Sequence, residues 1–137
     1  DYLRKVSYYS QNTPIITDTL YNNLNFGRKK VSKAIYEAMP FLAKFTNLDE
    51  MIVENGANLS GGDKQRIALS RYFTEDADIV ILDEPTSSLD KETEEELMKE
   101  ILKDTKDKIV FIISHNKEIM KYCSHLIEVK NKTATVL

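Results

Sequence analysis

Two neighbouring carboxylates, Asp83 and Glu84, follow the aliphatic run Ile79-Val80-Ile81-Leu82. Such a run suits a strand buried on both faces. In open α/β sheets, ligands bind beyond the carboxyl ends of the strands. A carboxylate at that point can hold Mg²⁺, directly or through water, and the next one can polarise a water for in-line attack. The competing reading of the pair alone, and the weaker one, is two solvated acids opening a loop.

A second group is Leu59-Ser60-Gly61-Gly62-Asp63. Ser60 and Asp63 have the spacing of a capping box for a helix over Gly61 to Phe73. Capping does not explain the two glycines, since each costs a helix about 1 kcal/mol against alanine. Bare backbone N–H groups at a positive helix end would admit a phosphate. His115 follows another aliphatic run, Ile109 to Ile113, and would emerge at the same sheet edge as Asp83 and Glu84. A neutral imidazole there could hydrogen-bond a phosphate or orient water; a buried structural histidine is as good a reading of the residue alone. Gln11 follows a candidate strand at Val6 to Tyr9 and carries no message by itself.

The positioning elements come in two textures. From about residue 12 to 73 the pattern is mostly helical. Leu20 and Leu24 are spaced i, i+4, as are Val31, Ile35 and Met39, before Pro40 interrupts. Phe41, Leu42 and Phe45 give a short apolar face, and Asn55 to Gly62 reads as a loop. From about residue 74 to 137 the pattern is α/β. Lys91 to Lys103 reads as a helix with Asp90 as N-cap and Leu97, Met98, Ile101 and Leu102 as its buried stripe. Ile109 to Ile113 reads as a second fully buried strand, followed by a short helix near Lys117 to Tyr122. Leu126–Val129 and Thr133–Val136 form a closing hairpin around Lys130-Asn131-Lys132. Strand, helix, strand in this order implies a parallel βαβ unit.

Composition narrows the classes. The chain has 137 residues, 42% hydrophobic and 30% charged, which is ordinary for a globular domain and argues against disorder. The formal net charge of −3 nominates no nucleic acid. One cysteine, Cys123, allows no intrachain disulfide and no cysteine metal cluster, and fits a reducing compartment. No aliphatic run approaches the ~20 residues of a spanning helix. The opening Asp1-Tyr2-Leu3 is neither a signal peptide nor an initiator methionine, so the sequence reads as a soluble fragment of a longer protein.

Together and in order, these groups resemble the ATP-binding-cassette (ABC) ATPase family. Gln11 matches the Q-loop and Leu59-Ser60-Gly61-Gly62-Asp63 the signature motif. Asp78 to Asp83 matches Walker B, and Glu84 the catalytic glutamate. Ser87-Ser88-Leu89-Asp90 matches the D-loop, and His115 the switch histidine. The resemblance implies an α/β fold of the P-loop NTPase type, with a mainly parallel sheet core and a helical subdomain. It implies ATP and Mg²⁺ as cofactors, with Asp83 and Gln11 at the metal, and Glu84, His115 and Gln11 in hydrolysis. Ser60 and Gly62 would bind the γ-phosphate of a nucleotide held by a second ATP-binding domain, in a homo- or heterodimer, with Gly61 and Asp63 in the same cofactor-binding turn. Asp90 would communicate across that dimer. Val6 to Pro14, Thr19 to Leu24 and Glu54-Asn55-Gly56-Ala57-Asn58 look like exporters fused to membrane helices. Glu54 and the Gln11 region would then contact the transmembrane domain, at the cytoplasmic face of the cell membrane.

Two departures from the family pattern stand out. The last signature residue, usually glutamine, is Asp63, an acid expected to repel a triphosphate mildly. No Gly-x-x-x-x-Gly-Lys-Ser/Thr is present, so the N-terminal strands and the phosphate cradle are expected to lie outside this sequence. Their absence should expose apolar sheet surface and promote self-association. Two alternatives compete with an exporter ATPase. A soluble DNA-associated ABC ATPase would need a coiled-coil insertion between Gln11 and Leu59, and no heptads occur there. A truncated, non-catalytic interaction module is the other.

Overall fold

The computed structural model describes residues 5–10 and 12–137. Gln11, expected at the metal and in hydrolysis, lies outside the described residues.

Three strands form a parallel sheet: β1 (Val6–Tyr9), β4 (Ile79–Asp83) and β5 (Ile109–Ile113), in the order β1-β4-β5. Between β1 and β4 run β2 (Asp18–Thr19), α1 (Leu20–Leu24), α2 (Lys33–Glu37), β3 (Met51–Ile52) and α3 (Gly61–Phe73). Helix α4 (Lys91–Asp104) links β4 to β5, which is the expected βαβ unit. The register aligns Ser7 with Val80 and Val110, and Tyr9 with Leu82 and Ile112. Those residues share one face of the sheet. Tyr9, Val80 and Leu82 join one core with Ile67 and Leu69 of α3 and Leu97, Met98 and Ile101 of α4.

The opposite face is open, which corrects the expectation of strands buried on both sides. In β5, Ile109 is 59% exposed, Phe111 48% and Ile113 52%, and Tyr8 of β1, two strands across, is exposed on the same face. Ile79 and Ile81 are only partly covered. Both helices that pack on the sheet lie on the Val80–Leu82 side, so alternate side chains have nothing to meet.

Other expectations needed adjustment. Within 13–73 the helical content is the 13-residue α3 and two five-residue helices, with a 3₁₀ turn at Pro40–Leu42 and an antiparallel pairing of β2 with β3, so the part before α3 is not mostly helix. In α2 the buried residue is Tyr36, whose hydroxyl donates to the Leu24 carbonyl at 3.1 Å, while Ile35 faces solvent. In α4, Leu102 is exposed, and Thr93 and Glu94 join the buried side instead. The segment Lys117–Tyr122 is 3₁₀. The closing hairpin forms as β6 (Ile127–Lys130) and β7 (Thr133–Val136). Its turn residues Asn131 and Lys132 have φ of 50° and 63°, the left-handed pair a tight hairpin needs. No helix among the described residues is long and apolar enough to cross a membrane.

Candidate functional site

Asp83 is the last residue of β4 and sits in register with Ile113 on β5. Its carboxylate accepts a hydrogen bond from the Tyr8 hydroxyl at 3.2 Å. Glu84 turns away from that line, because its φ is +49°. Its own N–H donates to the Ile113 carbonyl at 2.9 Å, and its carboxylate reaches over the end of β5. There it accepts from the His115 backbone N–H at 2.9 Å and from the Ser114 hydroxyl at 3.2 Å. The His115 Nε2 lies 3.8 Å from the same carboxylate, and the imidazole is otherwise fully exposed. The left-handed residue thus separates two sequence neighbours. One acid stays along the sheet beside Tyr8, and the other is held against the imidazole.

The serine–glycine turn is built as a cap. The Ser60 hydroxyl accepts from the Asp63 N–H at 3.1 Å, and the Asp63 carboxylate accepts from the Ser60 N–H at 3.2 Å. The Gly61 and Gly62 N–H groups, in the first turn of α3, have no intrahelical acceptor by position. They are where an anion could be received. The turn also packs on the segment at Ser88, and this gives Gly62 a second reason to be glycine. A Cβ on Gly62 would stand 3.1 Å from the Ser88 carbonyl oxygen, whereas one on Gly61 would meet Ser88 Cβ at an ordinary 3.6 Å. Asp63 is only 8% exposed, and its carboxylate is also paired with Lys44 Nζ at 2.5 Å and Arg66 Nη1 at 3.5 Å. Burial would push this carboxyl up. Hydrogen bonds from Lys44 and Ser60, with the Lys44 charge, outweigh that and hold it below its ordinary value. The acid that departs from the family pattern is therefore neutralised locally.

Asp90 caps α4 as the sequence implied, accepting from the Thr93 N–H at 3.0 Å and the Thr93 hydroxyl at 2.9 Å. Arg66 Nη2 donates to the same Thr93 hydroxyl at 2.7 Å, tying α3 to that cap. Glu54 is exposed with φ of +46°, in a bend it shares with Asn55 and Gly56. A cleft of about 490 Å³ opens beside the turn, with Asn12, Asn55, Gly61, Lys64 and Ser88 on its walls.

The structure brings Glu84 and His115 into contact and leaves Asp83 one residue away. It sets the Ser60–Gly62 turn on Ser88 rather than on the carboxylates. Three contributors had no sequence signal of their own: Ser114, Lys44 and Gln65. Gln65 joins the two halves of the site by donating from Nε2 to the Glu84 carbonyl at 2.9 Å.

Among the described residues, no group of three or more His, Cys, Asp or Glu side chains gathers to hold a metal. The donor set at the end of β4 is instead one or two carboxylates. That suits Mg²⁺, which usually completes its shell with water and substrate phosphate oxygens.

A parallel sheet with acids at the carboxyl end of its middle strand, beside a helix opened by glycines, belongs to the α/β class of nucleotide-handling domains. Comparisons sharpen that class. The family model for ABC transporters matches residues 1–87. A lipid A-core flippase of Vibrio vulnificus is 40% identical over 115 residues, covering 77% of this chain and 20% of that protein. One from Desulfotalea psychrophila is 34% identical over 135 residues, covering 92% and 23%. A bacterial Atm1-family ABC exporter solved with ATP bound superposes with a TM-score of 0.83 at 25% identity, over 91% of this chain and 24% of that one. The chain belongs to the ABC transporter family. It spans about a fifth of the length of the curated relatives it matches.

Proposed function

We propose that this chain forms part of the ATP-hydrolysing domain of an ABC exporter, at the cytoplasmic face of a membrane. The observation that carries the reading is the Glu84 carboxylate, fixed by Ser114 and the His115 backbone at the carboxyl end of β4, next to Asp83. In that position Glu84 accepts the proton of an attacking water, and His115 lies close enough to hold the water or a phosphate oxygen. Asp83 takes the Mg²⁺ position, and Gln11 would complete it. Bound Mg-ATP would supply the transferable γ-phosphoryl group and its neutralising metal. The Ser60 hydroxyl and the Gly61 and Gly62 N–H groups face a nucleotide carried by a second cassette, with Asp63 shaping the turn and Asp90 setting the D-loop's exit into α4. The Glu54 bend and the Gln11 region are the surfaces for a transmembrane partner. Lipid-like cargo is suggested by the names of the flippase relatives.

The sequence has no phosphate-loop motif, so tight nucleotide binding requires a cradle from outside these 137 residues. Calorimetric titration of the chain with Mg-ATP should therefore show no binding tighter than about millimolar, which is about −4 kcal/mol. In the full-length protein, Glu84→Gln should lower turnover by about 10²-fold or more with ATP still bound. Micromolar affinity in the isolated chain, or normal turnover in that variant, would refute the assignment.

A further inference from the structure

We infer that Gln65 is a positioning residue for hydrolysis: its side-chain amide clamps the turn from Glu84 to Ser88, fixing the Glu84 backbone and the D-loop from within α3. The inference rests on the proposed role of Glu84.

Gln65 is 5% exposed, although it is a polar residue one turn into a helix. Every polar atom of its amide is used. Nε2 donates to the Glu84 carbonyl at 2.9 Å and to the Ser87 hydroxyl at 3.3 Å. Oε1 accepts from the Ser88 N–H at 2.9 Å. The amide's orientation follows from its partners, since a carbonyl can only accept and a backbone N–H can only donate.

Glu84 needs such support. A φ of +49° is unfavourable for a residue with a side chain. Its N–H is fixed by Ile113 at 2.9 Å, and its carbonyl by Gln65. With both flanking peptide groups pinned, the carboxylate has little freedom except at its side-chain torsions, and Ser114 and the His115 N–H restrict those. The same amide holds Ser88, whose carbonyl abuts Gly62. Gln65 is therefore the side chain whose hydrogen bonds join the backbone of Glu84 to that of Ser88. It forms no hydrogen bond with the Glu84 carboxylate, whose partners are Ser114 and the His115 N–H.

The test is Mg-ATP turnover in the full-length transporter. Gln65→Glu keeps an acceptor for the Ser88 N–H and loses the donor to Glu84; Gln65→Met keeps the volume and loses both. A displacement of the carboxylate by a fraction of an ångström should lower kcat by about 10-fold or more, with KM for ATP changing by less than about threefold. Added to Glu84→Gln, Gln65→Glu should reduce turnover no further, because it acts through a carboxylate already removed. Thermal melting of each variant separates misfolding from mispositioning, and a destabilised Gln65→Met leaves Gln65→Glu as the decisive case. Unchanged kcat in Gln65→Glu, or an equal further loss on the Glu84→Gln background, would overturn the inference. If Glu84→Gln itself left turnover intact, the proposed role of Glu84 would fail instead.

Discussion

Replacing Lys44 with methionine isolates the interaction that neutralises Asp63. Asp63 holds the first turn of α3 through the capping box and is nearly enclosed, while Lys44 Nζ approaches its Oδ1 to 2.5 Å. Methionine keeps most of the lysine stem and removes the ammonium. A hydrogen bond between charged groups nets about 1.5–3 kcal/mol when well shielded. The Lys44 side chain is half exposed, so solvent screening brings the pair towards about 1 kcal/mol. Arg66, at 3.5 Å, remains as a weaker partner and keeps the loss from growing. Urea unfolding of the chain, Lys44→Met, Asp63→Asn and the double variant should give a coupling energy of about 1 kcal/mol at pH 7, smaller in 1 M salt. The pH dependence fixes the sign. Asp63 titrates below its ordinary 3.8 in the folded chain, so its stabilising contribution is full above that value and is lost as pH falls through the lower folded one. The gap between the chain and Lys44→Met should persist from pH 7 to 5 and close below about pH 4. A coupling under about 0.3 kcal/mol, or a gap that widens in acid, would show that the cap and not the ion pair governs Asp63.

The two signature glycines should separate on substitution. Gly62→Ala should destabilise the chain by about 1–3 kcal/mol, since its methyl meets the Ser88 carbonyl at 3.1 Å, while Gly61→Ala should be neutral or stabilising by up to ~1 kcal/mol. Equal melting shifts for the two would contradict that packing. The open sheet face predicts concentration-dependent association of the chain by light scattering, abolished by Phe111→Lys with Ile113→Lys. A monomer at high concentration before substitution would count against it.

What was legible in the sequence is what residue type encodes locally. Helix α3 begins where Ser60 and Asp63 place it, because a capping box is a short-range arrangement written in four residues. Strands β1, β4 and β5 were visible as aliphatic or aromatic runs, but their burial was not. A run such as Ile109 to Ile113 states that a strand is apolar on both sides without stating whether anything covers both sides. The β2–β3 pair was invisible, since two residues carry no period and their pairing joins Asp18 to Ile52 across more than thirty positions. Tyr36 displaced Ile35 from the interior of α2 because its hydroxyl found the Leu24 carbonyl, a partner that no helical spacing announces. The site followed the same rule. Acids, glycines and a histidine advertise chemistry by type, whereas Lys44, Gln65 and Ser114 matter only through partners distant in sequence.

The left-handed backbone at Glu84 ties these strands of argument together. Glycine would adopt φ of +49° freely and glutamate does so at an expense of about 1–2 kcal/mol. Nothing in the packing demands that expense, because a glycine would keep the N–H bond to Ile113 and the carbonyl bond from Gln65. What glycine would lose is the carboxylate beside Ser114 and His115. An ordinary extended residue would keep a carboxylate but continue the alternation of β4, directing it away from the end of β5. Only a side chain on a left-handed backbone places a second acid off the line of Asp83, and the clamp from α3 and the bond to β5 are what make that conformation persist. Unlike the left-handed pair Asn131 and Lys132, which a tight hairpin needs, the left-handed backbone at Glu84 positions a carboxylate, and that is what motivates its proposed role.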